Sequence, residues 1–365
     1  MITRIFSNLR SPLIAGLVAL AGIGLIAQPA GVTQGILSGL RVSGQVLIPA
    51  LFPFMALSTY MVLTDSARIL SIPLRPITKY LLRLPGECGA VVLAALIGGY
   101  PVGAKMISTL RAQNRLDNAT SKRMTAFCFG TSPSFLIVAV GGGMLADRRA
   151  GVALFIAQII ASLAVGLIFS RGVAVPRERR EPAKLAAGEN AFVTAVTGAS
   201  SAMLNMCAFA VLFSGLLYMV GGSGIYQWLV AAAGIDPALA ITLLAGLFEV
   251  TSGSVLAAEL GGMRGVFLLG VFASWGGLSV IFQVAAILGE RMPWRAFLFG
   301  RAIHAGLAGL LSLAFYSALP AREVAVIALP AVRPVLSAGG SNWLTALCLL
   351  AMCAMLTTNT GRKSP

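Results

Sequence analysis

Two apolar segments in the first half of the chain are broken at their centres, and two in the second half are broken in a similar way. Residues 87–111 are interrupted by G-G-Y-P-V-G-A-K at 98–105, and 122–145 by G-T-S-P-S at 130–134. About 148 residues later, 237–260 carries A-G-L-F-E-V-T-S-G at 245–253, and 265–288 carries W-G-G-L-S-V-I-F-Q at 275–283. Gly, Pro, Ser and Thr at mid-segment free backbone carbonyls and amides from helical bonding. Hydrocarbon tolerates this only where the freed groups are buried in protein or line a cavity. Matched interruptions in two halves of a chain point to a transporter-type site near the bilayer midplane.

That argument needs a membrane, and composition supplies it. Hydrophobic residues make up 58% of the 365 residues and charged ones 11%, against about 25% charged in soluble domains. The net charge of +15 sits in short loops between apolar stretches without interleaved aromatics, so it speaks for topology and against nucleic acid. The five cysteines lie in or beside apolar segments with no C-x-x-C spacing, which implies buried thiols and no metal framework. Arg4 and Arg10 precede an apolar run from Pro12 to Ala27. Gln28-Pro29-Ala30 is a poor signal-peptide cleavage site, so a retained first helix is expected.

Ten apolar segments are read: 12–28, 42–63, 87–111, 122–145, 150–170, 192–220, 237–260, 265–288, 296–318 and 341–358. An arm such as 87–98 is about 18 Å long as a helix, short of a hydrocarbon core of roughly 30 Å. Segments 87–111 and 237–260 are therefore either re-entrant hairpins or kinked full spans. Treating both as hairpins, with the N-terminus inside, puts 19 loop Lys and Arg inside and 5 outside; treating both as spans divides them 12 and 12. Membrane proteins carry a positive-inside bias, so hairpins are expected, with both termini cytoplasmic in a multi-pass protein of the cell membrane.

The unit 42–170 then makes three crossings, which turns a following copy upside down. Tyr60-Met61-Val62 recurs as Tyr218-Met219-Val220, and Leu96–Lys105 lines up with Leu244–Gly253. The expected fold is an all-α polytopic membrane protein, an inverted repeat with two re-entrant helical hairpins and broken helices. Its parts are an N-terminal helix at 1–34, a first repeat at 35–170, a charged cytoplasmic linker at 171–190, a second repeat at 191–318, and a loop and C-terminal helix at 319–365.

Stretches 49–57 (P-A-L-F-P-F-M-A-L), 98–105, 127–141 (F-C-F-G-T-S-P-S-F-L-I-V-A-V-G), 246–253 and 275–283 together resemble the YlbJ-type sporulation integral membrane proteins. These are built on the nucleoside-recognition or Gate domain, also found in concentrative nucleoside transporters and in the membrane part of FeoB-type iron transporters. The family often has Asn-Thr-Ser-Gly where this chain reads Gly130-Thr131-Ser132-Pro133. The resemblance implies a link to endospore formation and the movement of a small polar, nucleoside-like solute. It does not fix a substrate.

Lys105 is the one lysine inside an apolar segment, and Glu249 sits in the matching segment of the other half. Buried intramembrane charges are costly, so each serves a ligand or the two form a structural pair. Tyr100, Thr131, Ser132, Thr251, Ser252, Ser279 and Gln283 surround the breaks. Their hydroxyls and amides either replace lost backbone partners or bind a polar solute. Gly98-x-x-x-x-Gly103-Ala104-Lys105 misses the phosphate-loop pattern, because Ala104 intervenes and Met106 follows. His304, the sole histidine, is read as a core residue. Arg41, Arg301 and Glu259 are read as snorkelling near segment ends, and Gly35-x-x-x-Gly39 as uninformative in a chain with 41 glycines. Ser254 and His304 make no convincing nucleophile–base constellation, so no enzyme, cofactor or metal is expected. The expected function is a permease for a small polar solute. The alternative is a non-transporting scaffold in spore-envelope (cortex) assembly. The partner is the lipid bilayer, and a homo-oligomer is compatible with this reading.

Overall fold

The computed structural model describes residues 22–64, 69, 72–86, 88–112, 114, 116–174, 190–222, 230–232 and 234–319. The expected C-terminal helix, most of segment 12–28 and most of the charged linker lie outside the described residues. What is described is helical, with no strand among it.

Helix α1 (Pro29–Val42) starts on a proline, which costs nothing at a position whose N–H has no helical partner. It runs through a π-turn (Ser43–Leu47) into α2 (Ile48–Leu63). Residues 29–41, which lie between the apolar segments 12–28 and 42–63 read from sequence, are thus helical. Pro49 lacks an N–H and its ring crowds the carbonyl four residues back, so the helix widens there and continues. Gly35 and Gly39 seat α1 against α7 (Ala191–Gly222): a Cβ on Gly35 would lie 2.6 Å from the Ser214 carbonyl oxygen, and one on Gly39 2.7 Å from the Val211 Cα. The small-residue pair is a close helix contact.

Beyond α2 the chain forms two helices joined by one residue: α3 (Cys88–Gly98), Gly99, then α4 (Tyr100–Ala112). Gly99 has φ +78°, which glycine adopts without penalty. The arms fold back on each other, so a Cβ on Gly103 would stand 3.0 Å from the Ala95 Cβ. Next come α5 (Asn118–Phe127), an extended break at 128–133 and a π-helix (Ser134–Met144). Asp117 caps α5 through the Thr120 N–H at 2.9 Å. Helix α6 (Arg148–Phe169) closes the half, capped by Asp147 on the Arg149 N–H at 3.0 Å.

The same order of elements follows after α7. Helix α8 (Pro237–Phe248) and α9 (Val250–Leu260) meet at Glu249, which is extended at φ −149° and ψ 127°. These arms also fold back, since a Cβ on Gly253 would collide with the Gly246 Cα. Helices α10 (Gly262–Trp275) and α11 (Gly277–Leu288) are separated by Gly276, left-handed at φ +86°, and do not pack along one another. Helix α12 (Trp294–Ser317) completes the described chain. Among the described residues, four stretches are long and apolar enough to cross a membrane: Arg148–Phe169, Ala191–Gly221, Gly262–Leu288 and Trp294–Ser317.

Candidate functional site

All four breaks meet. The Gly99 tip lies against the first broken stretch, where a Cβ on that glycine would stand 3.5 Å from the Ser132 amide nitrogen. Gly276 and Gly277, at φ +86° and +73°, lie against both tips at once. A Cβ on Gly276 would be 3.3 Å from the Tyr100 ring, and one on Gly277 would be 3.0 Å from the Glu249 amide nitrogen. Glycine is needed here twice over, for its backbone region and for the close approach.

Between the breaks is a cavity of about 30 Å³. Tyr100, Thr131, Ser132, Glu249, Thr251, Ser279 and Gln283 line it, together with Pro101, Phe135, Met206 and other apolar side chains. Seven of the nine residues singled out from sequence are therefore brought to one place. Ser252 stands just behind: its amide donates to Glu249 Oε2 at 2.7 Å, so the carboxylate caps α9. Glu249 is 3% exposed.

Lys105 does not join them. It is exposed on α4, does not line the cavity and forms no ion pair with Glu249. The sequence places both residues near a hairpin tip, but helix phase decides what each faces. Residues Pro101 to Ala104 and Met106 are buried while Lys105 points outward, where its long stem lets the ammonium reach an interface.

The buried cation is Arg301, at 0% exposure, and the snorkelling expectation for it is corrected. Arg301 sits seven residues inside α12, roughly 10 Å from its start. Its Nη1 donates to the Ser274 carbonyl at 2.9 Å, and its guanidinium lies 5.9 Å from the centroid of Phe129 and 6.0 Å from that of Phe297. Arg41 and Glu259 are exposed, as snorkelling requires. His304 is buried, with Nε2 3.0 Å from the Gln158 carbonyl, a core placement.

Behind the cavity wall these groups satisfy what the breaks release. The carbonyl of Ala273, at the end of α10, receives the hydroxyls of Tyr100 and of Thr131, the latter at 2.5 Å. Gln158 on α6 clasps the Thr131 backbone, accepting its N–H at 3.1 Å and donating to its carbonyl at 2.8 Å. A Cβ at Gly130 would fall 2.8 Å from Gln158 Nε2, so the glycine makes room for that amide. Sequence reading misses Gln158. Its signal is a carboxamide at the centre of an apolar span, where it needs a partner. We expect Gln158→Leu to leave the Thr131 N–H and carbonyl unpaired and to lower stability by about 1–3 kcal/mol, measured by thermal unfolding of the purified protein against Gln158→Glu and wild type.

The chain is similar to the sporulation integral membrane protein YlbJ of Bacillus subtilis (strain 168), 26% identical over 314 residues that cover 78% of this chain and 77% of that protein. No family model matches the chain, and no solved structure matches it. The relative's description agrees with the resemblance read from the motifs. With the four span-length helices it makes this chain an integral membrane protein.

Proposed function

We propose that the chain is a membrane permease of the nucleoside-recognition type, moving a small polar solute through a core of two re-entrant hairpins during endospore formation. The observation that carries this is the convergence of four separate breaks, far apart in sequence, on one cavity lined by a carboxylate, an amide and five hydroxyls. Broken helices whose free backbone groups meet at a site between two repeats are the usual architecture of secondary transporters. The recurring order of a folded-back helix pair, a broken helix and a long helix supports an inverted repeat.

Hydrogen bonds at the loops support the hairpin topology. Arg123 donates to the Arg83 carbonyl at 3.2 Å, and Arg83 to that of Val173 at 2.7 Å. If 87–111 crossed the membrane completely, Arg83 would be on the opposite side from Arg123 and from Val173. With hairpins all three share the inner face. Accessibility mapping on single-cysteine variants in intact cells should find 112–121 protected from an impermeant thiol reagent and 221–236 labelled. Labelling of 112–121 from outside would overturn the hairpins and the inverted repeat with them.

The second reading, a scaffold in spore-envelope assembly, is favoured by the smallness of the cavity, which holds about two water-sized bodies. Metabolite comparison of proteoliposomes with and without the protein separates the two. Selective depletion or accumulation of a solute supports the permease, and identical profiles support the scaffold.

A further inference from the structure

We infer that Arg301 is the shared counter-charge of two broken helices, one from each half of the chain, and that through them it positions Tyr100 and Thr131 on the closed cavity. Its surroundings pose the question. Arg301 is fully buried on α12, its Nε and Nη2 have no hydrogen-bond partner, and among the described residues no carboxylate pairs with it. A lone charge inside a membrane is costly unless something of opposite sign faces it. Helix ends supply that sign, because the last carbonyls of an α-helix lack helical partners and the aligned peptide dipoles give a C-terminus roughly half a negative charge. Helix α10 ends at Trp275, and Arg301 Nη1 donates to the Ser274 carbonyl there at 2.9 Å. Helix α5 ends at Phe127 beside the same spot. A Cβ on Gly300, the residue before Arg301, would collide with the Ala126 carbonyl oxygen of α5. The guanidinium lies 5.9 Å from the centroid of Phe129, two residues past the end of that helix. Two half-charges thus face one guanidinium, and the negative faces of Phe129 and Phe297 add to them.

Gly300 and Arg301 therefore act as a unit: the glycine lets α12 touch the end of α5, and the arginine reaches the end of α10. The consequence lies in the cavity wall. With the Ser274 carbonyl held by Arg301, the carbonyl before it, that of Ala273, is presented to the hydroxyls of Tyr100 and Thr131, both of which line the cavity. One turn along α12, His304 Nε2 meets the Gln158 carbonyl at 3.0 Å, and Gln158 holds the Thr131 backbone. Without the positive charge, two helix ends of like sign face each other across α12. Their repulsion pushes α5 from α10 and loosens the contacts that close the cavity.

The inference concerns the closed cavity of a permease and of a scaffold alike, and its test reads no transport. Arg301→Met and Arg301→Lys are close in shape and differ in charge. Replacing an uncountered buried charge by an apolar side chain is often neutral or stabilising, so the sign of the change decides. Thermal unfolding of the purified full chain is followed at about pH 6, far below the usual lysine pKa of about 10.4. Arg301→Met should melt roughly 3–8 °C below wild type, and Arg301→Lys within about 2 °C of it. Ser132→Cys, in a chain whose five native cysteines are replaced by alanine, reports on the cavity through its rate of reaction with methyl methanethiosulfonate. Adding Arg301→Met should raise that rate at least about tenfold, and adding Arg301→Lys less than about threefold. If Arg301→Met does not fold, recovery of folding in Arg301→Lys carries the same comparison. Arg301→Met melting at or above wild type, Arg301→Lys falling with it, or an unchanged Ser132→Cys rate beside Arg301→Met would each overturn the inference.

Discussion

Gly253→Val is expected to yield no stably folded protein. The glycine lies on α9 directly against Gly246 of α8, and a Cβ at 253 collides with backbone, which has no flexible end to move aside. The Phe272 ring, 3.2 Å from the same Cβ position, closes the remaining direction. Overpacking of this kind costs about 3 kcal/mol or more when backbone must shift, and here the shift would pry apart the two arms that present Glu249. Gly306→Ala is the matched control, because nothing lies within 4 Å of a Cβ there and the residue is exposed in the interior of α12. It should be neutral or stabilising by about 0.5–1 kcal/mol. Monodisperse yield and melting temperature report both. A well-folded Gly253→Val protein would show that the arms are not held in contact.

The second large effect is functional. Glu249→Gln should reduce solute uptake, or the sporulation phenotype if the scaffold reading holds, by roughly 10- to 100-fold, from the loss of a charge-assisted contact. Membrane yield should be unchanged, since the amide oxygen still caps α9. Lys105→Met tests whether the outward lysine contributes. As the two side chains do not pair, the double variant should show the product of the single effects, with coupling below about 0.5 kcal/mol. Restored function in the double variant would mean that they brace one another in the working protein.

The breaks are legible in sequence because their signal is local. Glycine, proline and hydroxyl residues in the middle of an apolar run announce unpaired backbone wherever the run ends up. That places Tyr100, Thr131, Ser132, Glu249, Thr251, Ser279 and Gln283 near breaks without reference to any partner. Lys105 and Arg301 depend on something the sequence does not state, the rotational setting of each helix against its neighbours. Lys105 is five residues beyond Tyr100 at the hairpin tip and faces outward; Arg301 reads from sequence as part of a segment end, yet its guanidinium turns into the packing between α12 and α10. The continuation of the helix over 35–41 is hidden because glycines that weaken a helix in isolation, Gly35 and Gly39, are the ones that let it lie close against α7. Gln158 draws no notice because one amide in a 22-residue apolar helix looks like noise until Thr131 is seen beside it.

The carbonyl of Ala273 serves two masters, the hydroxyl of Tyr100 at the first hairpin tip and that of Thr131 in the first broken stretch. Any swing of either element away from α10 strips that oxygen of a partner in a place where lipid offers none, a penalty of about 1–3 kcal/mol. A water molecule that followed the moving element would remove the penalty. For the permease proposed above, opening and wetting would therefore be one event: water would have to reach Ala273 in the same step that moves Tyr100 or Thr131 away from it.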